Sequence, residues 1–564
     1  MNVKETLTER VEAAFRALGY EGPAVVQAAS RPEFGDYQAN GVMGVAKRAK
    51  ANPREVAAAV VEALDLDGIA RTVEVAGPGF LNITLDPAWL ARNRAGEVTA
   101  AAAPQRVVVD YSAPNLAKEM HVGHLRSSVI GDCIARVLEA RGHTVLRQNH
   151  VGDWGTQFGM LLTYMTETGE DSDELADLED FYRAAKRRFD EDEAFRDRAR
   201  DAVVALQGGE AFAREQWQRF ITISLSHCQE IYDRLGLTLK PEHTQGESAY
   251  NDMLAGVVES LAEQGLLTES DGAQCVFLDE FTSKKGDPLP VIVQKTGGGY
   301  LYATTDLAAV IYRTETLGAN RVLYFTDARQ ALHFRQIFAV AAAAGFNRTD
   351  AVFEHMPFGT MLGADGKPFK TREGGVVKFA DLIDEAQTRA ADLIREKNPQ
   401  LDGDTVAEIA RVIGVGAIKY ADLSKNRNSD YMFDWDTMLS FDGNTAPYLL
   451  YAYARIRSLF RRGDIDPASL PSEAVAVDEP ERRLAVTLAG FNDTLAQVAT
   501  EGLPHYLCAY LFELATRFTQ FYEACPILSS DDDVKLRRLS LAGQTADTLA
   551  RGLDLLGVEV VERM

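Results

Sequence analysis

The segment Arg106-Val107-Val108-Val109-Asp110-Tyr111-Ser112-Ala113-Pro114-Asn115-Leu116-Ala117-Lys118-Glu119-Met120-His121-Val122-Gly123-His124 decides how this chain is read. Val107 to Val109 is a β-branched run and predicts a buried strand. The strand breaks at Ser112-Ala113-Pro114-Asn115, because Pro114 pushes the residue before it out of helical geometry. Beyond His124, Val129, Ile130, Cys133, Ile134, Val137 and Leu138 recur at helical spacing and predict an amphipathic helix, which Gly142 ends. Thr144-Val145-Leu146-Arg147 predicts the next strand, so the unit is βαβ. Two histidines and a glycine therefore lie at the start of a helix that follows a strand. Unpaired amides and the helix dipole favour phosphate there, and the stretch reads as a nucleotide site.

With 564 residues the chain exceeds a single core, and three or four domains are expected. Apolar residues make up 46% and charged residues 25%, a balance ordinary for a soluble globular protein. No apolar run reaches the length of a membrane span and the N-terminal residues open a polar helix, so no membrane is expected and a cytoplasmic location is. Cys133, Cys228, Cys275, Cys508 and Cys525 are scattered without a close pair, which argues against zinc and against a disulfide framework. The net charge of −24 opposes a nucleic-acid partner when summed over the chain. Much of the acid is concentrated at residues 170–174 and 190–193, however, while Arg455, Arg457, Arg461 and Arg462 crowd one segment. Charge alone decides nothing.

Residues 1–95 predict a small α+β unit, containing Arg31 to Asn40 and ending in a strand-like stretch from Gly77 to Leu85. An alanine-rich linker follows. Strand-like runs at Val291–Val293, Tyr300–Ala303 and Arg321–Phe325, separated by helical patterns at Leu307–Thr316 and Ala331–Ala344, extend the alternation begun at Arg106. They predict one doubly wound α/β domain over residues 106–385, split by a charged, mostly helical insertion at about 160–285. From Phe379 onward only helices are expected: a region over 386–445, then an all-helical unit over 446–564 with a loop from Gly463 to Glu481.

Three groups of residues suit chemistry. His121 and His124 lie one helical turn apart and could donate hydrogen bonds to phosphoryl oxygens, with Gly123 leaving room for a base or a phosphate. As a metal site the pair lacks a carboxylate partner, and two capping histidines would give the same spacing. The loop Gly359 to Gly375 carries Lys367, Lys370, Arg372 and Thr371 between glycines and suits the outer phosphates of ATP, although a solvated basic hairpin has the same composition. Asp110, Asn115, Tyr302, Asp306 and Gln330 are placed at strand ends or first turns, and together suit a forked cation such as a guanidinium. Each of them singly is a common cap or turn residue. The run Phe34 to Asn40 mixes an aromatic ring with amides, as contacts to unstacked bases do, and as polar turns do.

His121-Val122-Gly123-His124 resembles the HIGH signature of class I aminoacyl-tRNA synthetases, and Lys367-Pro368-Phe369-Lys370-Thr371 resembles their KMSKS loop. The runs Ser112–His124, Gly152–Gly159, Tyr302–Asp306 and Asp327–Gln330 are similar to the arginyl-tRNA synthetase family in particular, as are Gly77 to Ile83 and the ending Val561-Glu562-Arg563-Met564. The resemblance implies a Rossmann-like catalytic domain, an N-terminal domain that meets the tRNA D-loop and a C-terminal anticodon-binding domain. It implies a monomer that joins L-arginine to tRNA(Arg) through arginyl-adenylate, using ATP with Mg2+. It assigns Asp110, Asn115, His121, Tyr302, Asp306 and Gln330 to arginine. To ATP it assigns His121, Gly123, His124, Lys118, Lys367, Lys370 and Thr371, of which His121, His124, Lys367 and Lys370 are catalytic. Tyr37, Gln38 and Asn40 would meet the D-loop, and Tyr448, Tyr451, Ala452, Arg455 and Met564 the anticodon. The loop departs from its signature at Pro368 and Phe369, where Lys118 is expected to assist. The insertion is expected to contact the acceptor end without hydrolysing mischarged products, and adenylate formation to wait for tRNA. The alternatives are another class I nucleotidyl transferase or synthetase, such as one for lysine or cysteine, and a non-catalytic tRNA-binding relative.

Overall fold

The computed structural model describes residues 2–93, 98–116, 118–169, 175–369 and 377–564. They fold as two compact units, one formed by residues 102–438 and the other by 1–101 together with 439–564.

In the unit of residues 102–438, four parallel strands lie in the order Val352–His355, Arg321–Tyr324, Arg106–Asp110, Thr144–Gln148. The valine run lies on a central strand and is fully buried, as a strand covered on both faces requires. The helix Leu125–Ala140 follows it and returns to a parallel neighbour, completing the expected βαβ unit. This helix is not amphipathic. Every residue from Leu125 to Ala135 is buried, Arg126, Ser127, Ser128 and Asp132 included. At Gly131 a Cβ would fall 2.3 Å from Cβ of Tyr111, so only glycine lets helix and chain approach this closely.

Two strand expectations fail. Val291–Gln294 is a strand but belongs to a separate antiparallel sheet with Leu267–Ser270 and Ala273–Val276. Tyr300–Ala303 is no strand, because a helix, Tyr302–Ile311, begins inside it. That segment buries Ala303, Leu307, Ala308 and Val310 at helical spacing, and alanine favours helix. The Thr304 hydroxyl donates to the Val293 carbonyl and ties the helix start to the small sheet. Nor is everything after Phe379 helical. Tyr431–Met432 forms a short strand parallel to Met361–Leu362. The insertion packs the helices Thr156–Thr168, Leu175–Glu191 and Glu193–Gln207 around Met160, Ala185, Phe195 and Ala199.

The other unit joins the two chain ends. Its antiparallel sheet has the order Val26–Ala28, Tyr37–Ala39, Phe80–Leu85, Ala70–Ala76. Val3, Leu7, Tyr37, Val42, Leu81 and Trp89 share one core with Ala489 of the C-terminal helices. Asp36 pairs with Arg482, and the Tyr37 hydroxyl donates to Asp493 Oδ2 at 3.0 Å. The remainder is helical: Ala446–Gly463, Glu479–Ala489, Phe491–Glu501, His505–Ala524 and Asp532–Leu555. No helix among the described residues is long and apolar enough to cross a membrane.

Candidate active site

The break after the central strand is sharper than the sequence suggests. Ser112 and Ala113 both take left-handed backbone angles, φ +70° and +47°, which cost L-residues about 1–2 kcal/mol each. Hydrogen bonds hold the turn in that shape. Ser112 N–H donates to Ser127 Oγ (2.9 Å), Ser112 Oγ lies 2.8 Å from the Tyr232 hydroxyl, and Ala113 N–H donates to Asn149 Oδ1 (3.0 Å). Strain over-determined by its surroundings is a mark of functional turns. The chain then runs beside Gly152: Gly152 N–H donates to the Pro114 carbonyl and Leu116 N–H to the Gly152 carbonyl, both at 3.0 Å. A Cβ at Gly152 would fall 2.2 Å from Asn115 Oδ1, so the exposed Asn115 side chain keeps its place only against glycine.

His121 and His124 stand with ring centroids 4.1 Å apart at a single 3₁₀ turn, Val122–His124, that leads into the buried helix. Gly123 N–H donates to His121 Nδ1 (3.0 Å), and His121 N–H to His124 Nδ1 (3.2 Å). Nδ1 acceptance places the proton of a neutral His121 ring on Nε2, the atom that can donate to a phosphoryl oxygen, while His124 Nδ1 also lies 3.2 Å from the His121 carbonyl. Burial, with His121 beside it, depresses the His124 pKa to about 3, so this ring is neutral at pH 7. The glycine between the histidines serves the histidine itself, since a Cβ there would meet the His121 ring at 2.7 Å.

Asp110, at the end of the central strand, is not an open carboxylate. Its Oδ2 accepts from Arg313 Nη2 at 2.6 Å, and Gln148 Oε1 accepts from Arg313 Nε at 2.6 Å. Arg313 is 1% exposed and lies 4.8 Å from the Tyr324 ring. The sequence placed Asp110 against a bound guanidinium; the structure already gives it one from the chain. Removing one partner of such a pair leaves a buried charge, so Arg313→Met should lower unfolding free energy by about 3–5 kcal/mol. Urea denaturation checks this, and an unchanged midpoint would refute it.

The remaining acids gather further along. Asp306, in the second turn of the helix from Tyr302, accepts from or pairs with His333 Nε2 at 2.6 Å. Asp153 is 5% exposed and accepts from Ser248 N–H (2.8 Å) and Ser248 Oγ (2.6 Å). Glu247, next to Ser248 in the chain, is an acid that sequence reasoning missed. Burial, and then the charges of Asp153 and Asp306, raise its pKa to about 8. Tyr302 is 66% exposed at the rim, its phenol pushed up by burial and by Glu247. A carboxyl held protonated by burial beside two other carboxylates is a candidate functional group. No spacing pointed to Glu247, since it sits on a short 3₁₀ turn, Glu247–Tyr250, in the insertion. Only the fold shows how tightly this turn is seated, since a Cβ at Gly246 would fall 2.0 Å from Asp153 Oδ2. Gly246→Ala should therefore displace Asp153 from its two Ser248 hydrogen bonds and lower the unfolding free energy by about 1–3 kcal/mol, as urea denaturation would show.

Gln330 is exposed and precedes the helix Ala331–Ala343. Lys118 is exposed, its Nζ 4.6 Å from the centre of the Tyr182 ring in the insertion. Lys367 lies on a turn closed by Gly363 N–H to the Lys367 carbonyl (2.8 Å). Lys370 and Thr371 lie outside the described residues.

The remaining expected contacts are in the unit of the two chain ends. Tyr37 is 4% exposed and spends its hydroxyl on Asp493, so it holds that unit together instead of facing outward. Gln38 Nε2 donates to Asn82 Oδ1 (2.7 Å), and Asn40 Oδ1 is buried without a hydrogen-bond partner among the described residues. Tyr448, Tyr451, Ala452 and Arg455 follow i, i+3, i+4, i+7 spacing on one helix, with Tyr451 49% exposed and Arg455 over the Tyr522 ring at 4.5 Å. Glu562 accepts from the Tyr453 hydroxyl (3.1 Å) and Arg457 Nε (3.0 Å), which fixes the tail that ends in Met564 to the same helix. The arginine cluster is thus partly neutralised within the chain. The one group of three potential metal ligands among the described residues, Asp478, Glu481 and Cys525, is already held by Arg537 and Arg538.

Residues 87–435 match the family described as tRNA synthetases class I (R), catalytic domain. Residues 449–564 match the DALR anticodon binding domain, and residues 1–85 the arginyl tRNA synthetase N terminal domain. The chain is 57% identical to an arginine–tRNA ligase of Marinomonas sp. strain MWYL1 and 55% identical to one of Chromobacterium violaceum, in both cases over the whole of each chain. Its fold is similar to the crystal structure of arginyl-tRNA synthetase from Plasmodium falciparum, with a TM-score of 0.86 at 29% identity over 100% of this chain and 99% of that one.

Proposed function

The chain belongs to the class I arginyl-tRNA synthetase family, and from that premise we propose how its residues divide the work of ATP-dependent ligation of L-arginine to tRNA. Arginine lies between two clusters. Its guanidinium enters the acid pocket of Glu247 and Asp306, under Tyr302, and displaces the proton from Glu247. Asp110 stays bonded to Arg313 and shapes the floor, its neutralised charge leaving Glu247 and Asp306 to bind the substrate cation. Asn115, Gln330 and His121 face the amino and carboxylate end. The observation that carries this reading is the half-buried acid cluster of Asp153, Glu247 and Asp306, joined through Gly152 to the turn that leads into the histidines.

ATP takes the other side of the same turn. His121 and His124 donate through Nε2 to phosphoryl oxygens, with Gly123 between them, and Lys118, Lys367, Lys370 and Thr371 serve the outer phosphates. A carboxylate oxygen of arginine attacks the α-phosphorus in line, and pyrophosphate leaves. The 2′-hydroxyl of the terminal adenosine then attacks the acyl carbon, and AMP leaves. No enzyme nucleophile is needed, so orientation and electrostatic stabilisation carry the rate. Magnesium arrives with the ATP phosphates. Imidazoles and ammonium groups are a donor set for phosphate oxygens, not for a hard divalent cation, and no residue is assigned to metal.

The proposal extends to the remaining parts. Residues 1–95 and 446–564 serve the D-loop and the anticodon, with Gln38 and Asn40 in the first and Tyr448, Tyr451, Ala452, Arg455 and Met564 in the second. The catalytic domain spans 106–385, its insertion meets the acceptor end, and residues 386–445 meet the stem. The working species is a cytoplasmic monomer, and its tRNA is tRNA(Arg). The test is ATP–pyrophosphate exchange with each of the twenty amino acids, with and without total tRNA. Exchange dependent on arginine and on tRNA is the expected result; exchange with lysine or cysteine, or none with arginine, would overturn the reading.

A further inference from the structure

We infer that Arg126, two residues past the second histidine, is a positioning residue for the loop that carries Lys367. The inference rests on the class I reading above but concerns residues outside both substrate pockets.

Arg126 is 2% exposed and Asp422, its partner, fully buried. Arg126 Nε lies 3.1 Å from Asp422 Oδ2, and Nη1 donates to the Ser429 carbonyl at 2.9 Å. The guanidinium also lies over the Tyr431 ring, 5.1 Å from its centre. The arginine thus grips one strand-like strap, residues 427–433. That strap holds the root of the loop. Gly359 N–H donates to the Arg427 carbonyl (2.9 Å), Thr360 N–H to Asp430 Oδ1 (2.6 Å), and Phe433 N–H to the Leu362 carbonyl (2.8 Å). Met361 and Leu362 pair in parallel register with Tyr431 and Met432, and the Phe369 ring packs 4.8 Å from Phe433. A Cβ at Gly359 would meet the Ser429 backbone at 2.6 Å, so strap and root are in direct backbone contact.

The other end of the same segment returns to the histidines directly. Val122 N–H donates to the Val377 carbonyl (3.1 Å), Phe379 N–H to the Met120 carbonyl (3.0 Å), and Lys378 pairs with Glu119 at 2.6 Å. Both ends of the segment that carries Lys367 are therefore referenced to one helix start, one by backbone pairing and one through Arg126 and the strap. A buried arginine is a costly way to hold a core together, since apolar replacements of buried ion pairs are often neutral. Its five rigid donors and flat face suit it to fixing a carboxylate, a carbonyl and a ring at once, which lysine cannot do.

The experiment measures tRNA-dependent ATP–pyrophosphate exchange in the full-length protein, with melting temperature and tRNA Kd beside it. Arg126→Lys keeps the charge and loses the fork. Its kcat should fall about 10- to 100-fold, as misplacement of a catalytic group by about 1 Å does, with arginine KM within twofold of wild type. Asp430→Ala removes only the exposed carboxylate that receives Thr360 N–H and should lower kcat in the same way, by about fivefold, at unchanged melting temperature. If Arg126→Lys does not fold, Asp430→Ala decides alone. Wild-type kcat in Asp430→Ala, or a loss of kcat in Arg126→Lys matched by an equal rise in arginine KM, would overturn the inference. Wild-type protein without arginine-dependent exchange would overturn the functional reading beneath it.

Discussion

Arginine should bind this protein with release of nearly one proton at pH 7. Glu247, with a pKa of about 8 in the empty pocket, is mostly protonated there. A guanidinium placed against it restores the ordinary preference for carboxylate, so the bound state holds fewer protons than the free state. Binding therefore gains as pH rises toward about 8 and weakens below it, by at most about tenfold per pH unit. Calorimetry in buffers of different ionisation enthalpy reads the proton directly. Glu247→Gln should abolish the release, flatten the pH dependence and raise the arginine KM about 100-fold, because a charge-assisted forked contact is lost in a desolvated site. The same shift sets a stability trend with the sign worked out. Folded Glu247 keeps its proton above the ordinary value of 4.5, so its contribution is full below that value and is lost as pH rises through about 8. The melting temperature of the empty protein should accordingly fall across that window in wild type, and less in Glu247→Gln. Arginine binding without proton release, or wild-type affinity in Glu247→Gln, would remove Glu247 from the pocket.

His124→Ala should reduce the rate of adenylate formation about 100- to 1,000-fold, the usual cost of removing one preorganised donor to a developing charge. The tRNA Kd should stay within twofold, since the tRNA surfaces proposed above lie on the chain ends, the insertion and residues 386–445, and His124 belongs to none of them. The depressed pKa adds a second readout. A ring that ionises at about 3 is neutral throughout pH 5.5–8, so the wild-type rate should show no ionisation belonging to His124 in that range. Single-turnover measurements with pre-bound tRNA isolate the step. Retention of a third or more of the wild-type rate would mean that His124 does not touch the reacting phosphate.

The local pattern of the chain determined a great deal. The valine run, the proline after it and the apolar spacing beyond His124 dictated a strand, a break and a helix, because each is set by steric rules acting over a few residues. The histidine pair and the composition of the cationic loop were legible for the same reason. What spacing could not carry was partnership over long separations. Asp110 stands at a strand end in the sequence, and only the fold shows that Arg313, 203 residues away, is bonded to it. Tyr37 lies in a polar run of the sequence, and only the fold shows that its hydroxyl is bonded to Asp493, 456 residues on. Tyr300–Ala303 reads as strand-like, yet it leads into the helix Tyr302–Ile311, whose Ala303, Leu307, Ala308 and Val310 are buried in the core. Glu247 gave no sign, since its chemistry comes from Asp153 and Asp306 and not from its neighbours in sequence. The sequence by itself determined which segments are strand, turn and helix around the histidines and which family the residues resemble. Only the tertiary structure decided which charges are already spent and which remain for substrate, because charge pairing depends on distance in space and on exclusion of water, and neither is written along the chain.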